Sequence, residues 1–416
     1  MFSYRALTVL SLLATSLSAY AQRSATVLPA NIYRVRAVGV TANPVLRTLN
    51  AEGERQNLMG AMEQTLTAKD IAASNADLQA LYNGLNQFEA GLGDSLITAD
   101  LLPQAEVNAR QMVFALEYGL TNRISLGIIV PTVQMKVQAS FDARVNSQAA
   151  QVAERTQGVP ALEQGVAQFQ ANTPTAQTFA NGIFVDNGYK TPSNFEYSGL
   201  SDIELGAKVQ YLNASAWRGT CLAGVRAPTA TYKDDPSNLL DSGTGDGQWD
   251  LAAECANEFD PLKTVTLGVA ARYTVQLPNS YRQAVLRDGS TDPLPNLNDS
   301  SLVQPIRRDL GDMVEAEVST RVNIGAAWHV SGLMELAFKA EDRYTGPKSF
   351  QIDELGSDSE TMAYRAELGV GYSTIPEFAA KRFAVPMEVK VAYNTLTQGY
   401  SVPMSAYARM DLIVYF

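Results

Sequence analysis

Histidine, cysteine and long apolar runs are scarce in this chain of 416 residues. One histidine, His329, and two cysteines, Cys221 and Cys255, are too few to supply the tetrahedral ligand set that zinc usually takes from these residue types. Beyond residue 21, no stretch approaches the roughly 18 consecutive apolar residues that a membrane-spanning helix requires. The sequence therefore predicts no metal site, no cofactor and no membrane helix.

Positive charge is also in short supply. The chain has 32 lysines and arginines against 43 aspartates and glutamates, which gives a formal net charge of -11 at pH 7. A nucleic-acid backbone carries dense negative charge and is repelled by this balance. We therefore expect no nucleic-acid partner.

The first residues have the order of a secretory signal. Arg5 precedes an apolar run over residues 6–14, and Ala-Tyr-Ala follows at 19–21. A short positive region, an apolar core of about ten residues and a small-residue cleavage site are typical of a cleaved signal peptide. We expect residues 1–21 to be removed, which leaves residues 22–416 for the folded protein. The secretory route also permits a disulfide.

Apolar and polar residues alternate in many segments along the rest of the chain. In residues 202–211, for example, the charged side chains of Glu204 and Lys208 alternate with the apolar side chains of Leu205 and Val209. A strand with this period of two presents one row to lipid and the other to a wet lumen. We predict such strands at 30–42, 107–119, 122–140, 198–213, 215–228, 247–260, 262–276, 311–323, 326–341, 360–374, 384–395 and 404–416.

The connections between these segments alternate strictly between short and long. The short ones are 119–122, 213–217, 260–262, 323–326 and 373–382, and the long ones are 43–106, 141–197, 229–246, 277–310, 342–359 and 396–403. Short turns on one side of a membrane and long loops on the other are typical of an outer-membrane barrel. The predicted fold class is all-β and transmembrane, an antiparallel outer-membrane β-barrel of about 12 strands with both termini in the periplasm. About ten or about fourteen strands remain open alternatives, because residues 86–106 are ambiguous.

The C-terminal strand carries a second signal of a bacterial outer-membrane location. Residues 408–416 read Ala-Arg-Met-Asp-Leu-Ile-Val-Tyr-Phe and end on the aromatic Phe416. A strand that closes on an aromatic residue resembles the sorting signal of bacterial outer-membrane barrels. That resemblance implies recognition by the outer-membrane assembly machinery. The alternative is a half-buried C-terminal strand of a soluble sandwich.

Two of the long connections, 43–106 and 141–197, break the strand pattern. Apolar residues recur there at the spacing of a helix face; they are Leu78, Leu81, Leu85 and Phe88 in the first insertion and Leu162, Val166 and Phe169 in the second. Contiguous apolar stripes of this kind need a cover. The barrel rim or lumen, a neighbouring subunit and lipid headgroups are the alternatives. We predict two α-helical insertions and propose that they contact outer-membrane lipids or the other subunits of a homo-oligomer.

The two cysteines lie symmetrically about position 238, in the middle of the connection 229–246. Antiparallel strands joined by that connection bring Cys221 and Cys255 nearly opposite each other, both on the apolar, outward rows. The sequence leaves two alternatives, a cross-strand disulfide or two small buried thiols.

Four short stretches of the chain carry a family resemblance. They are Tyr-Gly-Leu-Thr-Asn-Arg at 118–123, Gly-Leu-Ser-Asp-Ile-Glu-Leu-Gly-Ala-Lys at 199–208, Arg-Ala-Pro-Thr at 226–229 and Gly-Thr-Gly-Asp-Gly-Gln at 243–248. Together they resemble a porin-like barrel family named for the meta-pathway of phenol degradation. The resemblance implies a Gram-negative outer-membrane protein that passes small, often hydrophobic molecules.

The inward rows of the predicted strands carry charges of both signs. The residues assigned to the lumen are Glu204, Lys208, Arg226, Arg272, Glu315, Glu317, Arg321, Glu335, Lys339, Arg365, Glu367 and Arg409. A strongly selective ion channel lines its path with one sign, whereas these signs nearly balance. An open pore and an interior packed with charge pairs are both consistent with the pattern.

The leading function is a porin-like channel for the passive passage of small solutes, hydrophobic ones included. The alternative is a non-conducting structural protein whose barrel is filled by charge pairs and whose helices organise a homo-oligomer and its surrounding lipids. Catalysis is not expected, since the single histidine, His329, lies near a periplasmic turn and fits a hydrogen-bonded wall residue. An acidic loop is interpreted as solvated because the spacing of its aspartates fits no standard calcium loop; they are Asp234, Asp235, Asp241 and Asp246.

Migration in detergent gels tests the predicted architecture. A closed barrel resists unfolding by detergent until it is heated, because all backbone hydrogen bonds of its wall are internal. We expect heat-modifiable migration of the purified protein and a circular dichroism spectrum rich in β-structure. A protein that stays soluble and monomeric without detergent contradicts the prediction.

Overall fold

The computed structural model describes residues 23–60, 63–73, 76–172, 181–182, 184–191, 193–231, 237–239, 241, 243–290 and 294–416. The predicted signal, residues 1–21, lies outside the described residues. The strands are β1 (Tyr33–Ala42), β2 (Arg47–Leu49), β3 (Arg55–Asn57), β4 (Gln64–Leu66), β5 (Ile97–Thr121), β6 (Ile124–Ser147), β7 (Phe195–Leu200), β8 (Ile203–Asn213), β9 (Trp217–Ala227), β10 (Asp250–Leu262), β11 (Val265–Gln276), β12 (Asn279–Ala284), β13 (Val303–Asp309), β14 (Met313–Ile324), β15 (Trp328–Lys339), β16 (Arg343–Thr345), β17 (Thr361–Ser373), β18 (Met387–Tyr400), β19 (Val402–Pro403) and β20 (Ala406–Tyr415). The α-helices are α1 (Ala68–Ala73), α2 (Ala76–Phe88), α3 (Ala149–Arg155), α4 (Pro160–Asn172) and α5 (Ile375–Ala379).

Twelve of these strands form the wall of a closed antiparallel barrel. Their order around the wall is β1, β5, β6, β8, β9, β10, β11, β14, β15, β17, β18 and β20. The barrel closes at β1, where Val38 lies opposite Asp411 of β20 on one side and Val113 of β5 on the other. Closure leaves no unpaired edge of the wall in lipid. The predicted outer-membrane β-barrel of about 12 strands is confirmed.

The long connections fold into small structures at one end of the barrel. β12, β13 and β16 form one three-stranded sheet, and β19, β2 and β3 form another. β7 continues the line of β8 along the upper part of β6. The long connections lie on the extracellular side and the short turns on the periplasmic side, as in other barrels of this class.

The outer surface of the wall is apolar. Val269, Val318 and Leu368 are among its exposed large side chains, and Leu368 is 73% exposed. Close to the short turns, aromatic residues pair across neighbouring strands, namely Tyr33 with Tyr118, Trp217 with Phe259, and Trp328 with Tyr372. An apolar band edged by aromatic residues is the lipid-facing surface of an outer-membrane barrel, so the chain belongs in the bacterial outer membrane. None of the described helices is long and apolar enough to cross a membrane.

The hairpin of β5 and β6 extends well beyond its predicted segments, because these strands span residues 97–121 and 124–147. In the added part the alternation is reversed. Outward Gln104 and Glu106 are polar, whereas inward Ala99 and Ala105 are buried. This part of the strands has no lipid-facing apolar row, because it stands above the membrane. The non-barrel insertions are therefore shorter than the predicted ranges.

Helices α2, α3 and α4 share a hydrophobic core with this hairpin. Leu85 of α2 and Val166 of α4 are fully buried in it together with Val107 and Met135 of the hairpin. α2 and α4 approach closely, since a Cβ added at Gly165 would lie 2.8 Å from Cδ1 of Leu81. We call these three helices and the extended hairpin the extracellular cap.

The apolar faces of the helices are covered within the chain. Leu81, Leu85, Val166 and Phe169 are buried in the cap, and Leu78 and Leu162 pack against the same core. Phe88 differs, because 46% of its surface is exposed. The buried residues are not accessible to a partner or to lipid. Homo-oligomerisation and lipid contact remain predictions. The buried residues of the helix faces offer no contact surface for a second subunit or for lipid.

A disulfide joins Cys221 of β9 to Cys255 of β10, across a sequence separation of 34 residues. The two residues are direct partners in the antiparallel ladder. Both lie on the outward row with Ala223 and Ala253. Of the two alternatives that the sequence leaves open, the structure contains the cross-strand disulfide.

Replacement of Leu85 tests the extracellular cap. Leu85→Asp places a carboxylate in a core without water, so the variant should lose the packing of α2 against α4. Limited proteolysis should then cut residues 76–172 in the variant and spare them in the wild type. The barrel itself should keep its heat-modifiable migration.

The matched control lies one helical turn further along the same helix. Phe88→Asp introduces the same charge at an exposed position and should leave protease resistance unchanged. Equal sensitivity of the two variants would mean that the helices do not pack as described.

Candidate functional site: the barrel lumen

The inward side of the wall surrounds a cavity of about 1600 Å³. Lys263 and His329 border it beside the short turns. Tyr344 and Leu355 border it in the extracellular connections. One cavity therefore reaches from the periplasmic end of the barrel to the extracellular end.

The chain before β1 lies inside the lumen. The backbone N–H of Ala25 donates to Glu258 Oε1 (3.3 Å), and Lys208 Nζ donates to the Ser24 carbonyl (3.4 Å). These bonds join the segment to side chains of the wall and are not strand pairing. Residues 23–28, here called the luminal segment, therefore cross the lumen as a separate element.

The luminal segment begins with a buried arginine surrounded by four carboxylates. Arg23 Nε lies 3.2 Å from Glu254, Nη2 lies 2.8 Å from Glu315, and Nη1 lies 3.5 Å from Glu317 and 4.0 Å from Glu335. The Arg23 side chain is only 2% exposed. Arg23 precedes the first strand and belongs to no alternating row, so no pattern in the sequence assigns it to the lumen.

A second set of charge pairs leads from these carboxylates toward the extracellular end. Arg272 lies 2.8 Å from Glu204 and 3.6 Å from Glu254. Arg226 lies 3.5 Å from Glu204 and 3.1 Å from Asp250. The pairs connect β8, β9, β10 and β11 across their inward faces. Removal of one member leaves an uncompensated buried charge, so the stabilisation that the set provides depends on all of its members.

The wall formed by β17, β18, β20 and β1 carries a third set, in which bases predominate. Arg409 lies 2.8 Å from Glu367 and 3.3 Å from Asp411. Lys390 lies 3.1 Å from the same Glu367, and Arg36 lies 3.2 Å from Asp411. Acids predominate in the two sets described before. The lumen is therefore polarised across its width.

The twelve residues assigned to the lumen from the sequence fall into two groups. Glu204, Lys208, Arg226, Arg272, Arg321 and Lys339 border the cavity. Glu315, Glu317, Glu335, Arg365, Glu367 and Arg409 are held in ion pairs or hydrogen bonds on the inward side of the wall. The sequence left an open pore and a charge-packed interior as alternatives. The structure contains both features, paired charges along the wall and a cavity between them.

One side of the cavity is apolar. Val113 of β5 and Ile129 and Pro131 of β6 border it, together with Leu297 from an extracellular connection. Tyr189 adds a phenol at the same side. Burial raises the pKa of that phenol, so it enters the cavity as an uncharged group. The cavity is thus apolar on one side and charged on the other.

His329 and the acidic loop have ordinary structural contacts. The His329 ring lies against Gly371, where an added Cβ would overlap the ring. Asp241 and Asp246 accept hydrogen bonds from backbone N–H groups of their own loop, while residues 234–235 lie outside the described residues. Among the described side chains, no group of three or more is arranged to hold a metal ion.

No protein-family model matches the chain, and no curated protein matches it. Among solved structures, the chain is similar to an outer membrane channel from Pseudomonas putida F1, at 11% identity and a TM-score of 0.53, over 95% of this chain and 100% of that chain. A FadL homologue from Pseudomonas aeruginosa has a TM-score of 0.33 at 10% identity over 93% and 90% of the two chains. The toluene transporter TbuX from Ralstonia pickettii has a TM-score of 0.30 at 9% identity over 93% and 89%. The first likeness shows a shared fold. The TM-scores of the other two are too low to show one.

The buried pairs predict a large cost for the loss of Arg272. Arg272→Leu leaves Glu204 and Glu254 with one cationic partner fewer, so the barrel should lose about 3–5 kcal/mol of unfolding free energy. Urea unfolding in detergent micelles, followed by tryptophan fluorescence, measures the loss. The control is Arg155→Leu in the extracellular cap, whose exposed pair with Glu89 should contribute at most about 1 kcal/mol. Equal effects of the two replacements would show that the luminal pairs do not act as buried charges.

Proposed function

We propose that this protein is a channel for the passive passage of small solutes across the outer membrane. The observation that carries the proposal is a cavity inside the closed barrel that is bordered by residues near both of its ends. The likeness in fold to the outer membrane channel from Pseudomonas putida F1 supports it. A passive channel of this kind requires no catalytic residue and no cofactor.

The cavity wall favours solutes with an apolar part. Val113, Ile129 and Pro131 offer an apolar surface on one side, while Glu204 and Arg272 stand on the other. An apolar group that slides along the first side avoids the desolvation of paired charges on the second. We therefore extend the proposal to small solutes that are hydrophobic or amphipathic.

The alternative is a closed structural barrel. The buried charge pairs and the luminal segment favour it, since both fill space in the lumen. A cavity of about 1600 Å³ opposes it, because a packed protein interior leaves few voids larger than a water molecule.

Gly206 of β8 offers a steric test of the proposed passage. It borders the cavity, and a Cβ there would meet Ala223 O at 3.4 Å, an ordinary contact. Gly206→Leu should therefore fold and should lower the single-channel conductance severalfold, because the side chain narrows the path. Ala207→Leu adds a side chain of the same kind to the lipid-facing row and should leave the conductance unchanged.

Planar bilayers supply the measurement. Steady single-channel steps from the wild type, reduced in Gly206→Leu and preserved in Ala207→Leu, support the channel. If protein with heat-modifiable migration gives no steps, the proposal fails and the structural alternative is favoured.

A further inference from the structure

We propose that Arg23 sets the ionic selectivity of the lumen by neutralising the carboxylates around its middle. The inference rests on the proposed function, since selectivity is a property of a conducting channel. It adds a specificity-determining residue that lies outside the barrel wall.

The position of Arg23 is built by contacts over long sequence separations. Its guanidinium meets carboxylates of β10, β14 and β15 within 4.0 Å. Its backbone N–H also donates to Glu317 Oε1 at 3.2 Å. Ala25, two residues further along, is fully buried against Ala256 and Ala270. Main chain and side chain therefore both hold the charge in place.

Two of the four carboxylates depend on Arg23 for ion pairing. Glu254 and Glu315 also lie within 4.0 Å of Arg272. Within the described part of the chain, Glu317 and Glu335 form ion pairs with Arg23 alone. Arg23 itself borders the cavity, so loss of its charge would remove a cation from the path and leave two carboxylates of the wall without their ion-pair partner.

Three other bases of the lumen are already engaged. Lys390 and Arg409 pair with Glu367, and Arg36 pairs with Asp411, on the opposite wall. Without Arg23, Glu317 and Glu335 must take up a proton or attract a cation from solution, and cation selectivity rises where they keep their charge. An uncompensated negative charge attracts cations and repels anions along the path, since the interaction is strong at separations of a few ångströms.

The test is the reversal potential of single channels in a gradient of KCl. Arg23→Gln removes the charge and keeps a long polar side chain, so the permeability ratio of K⁺ to Cl⁻ should rise about fivefold. Arg23→Lys keeps the charge and should retain the ratio of the wild type. Arg23→Ala should match Arg23→Gln in selectivity and exceed it in conductance, because it also removes bulk.

Glu317→Gln provides a test of opposite sign with Arg23 in place. It removes one carboxylate, so the permeability ratio should shift toward Cl⁻. This variant decides the question if Arg23→Gln loses its heat-modifiable migration and therefore has not folded.

The outcomes separate this inference from the proposed function. A wild type that gives no channel steps overturns the proposed function and this inference with it. A conducting wild type whose K⁺ to Cl⁻ ratio is unchanged in Arg23→Gln or, where that variant does not fold, in Glu317→Gln overturns the inference and leaves the channel intact. A variant that changes the conductance but not the permeability ratio of K⁺ to Cl⁻ also overturns the inference. In that case Arg23 acts only as a steric obstacle.

Discussion

The structure depends on the requirement that every backbone N–H and C=O within lipid be paired inside the protein. β1 meets this requirement by pairing with β5 on one side and β20 on the other, so the wall has no free edge. Closure has a direct consequence for the side chains. One row of each strand must face lipid, and the charged row has only the lumen to occupy.

The charges of the inward rows are enclosed by the barrel, and many of them form ion pairs with one another. A carboxylate without a partner is costly in such a space, and the wall from β8 to β15 has more carboxylates than bases. The luminal segment supplies Arg23 to that wall, with 2% of the side chain left exposed. The opposite wall, around Glu367, has more bases than acids. A cavity remains between the two sides, and this combination of paired walls and open space is the basis of the proposed passage.

The extracellular cap follows from the same alternation once the strands leave the membrane. The hairpin of β5 and β6 continues upward with its apolar row turned inward, where Val107 is fully buried. Helices α2 and α4 cover that row and each other, so neither presents an apolar stripe to water. Connections at this end also contribute Tyr189 and Leu297 to the apolar side of the cavity. The extracellular end of the cavity is therefore lined by the connections, while its charges come from the wall and the luminal segment.

Local pattern by itself determined the twelve membrane strands and most of their inward rows, because lipid on one side and water on the other impose a period of two. It failed in β6, where the pattern predicts an inward Lys136 and the structure places that residue outward. The symmetric spacing of Cys221 and Cys255 likewise placed them opposite each other. Only the tertiary structure decided what covers the helices, whether a cavity remains and where Arg23 lies. These features depend on contacts between distant parts of the chain, and Arg23 and Glu317 are 294 positions apart. No local pattern encodes such a contact, since it exists only after the barrel has closed around the luminal segment.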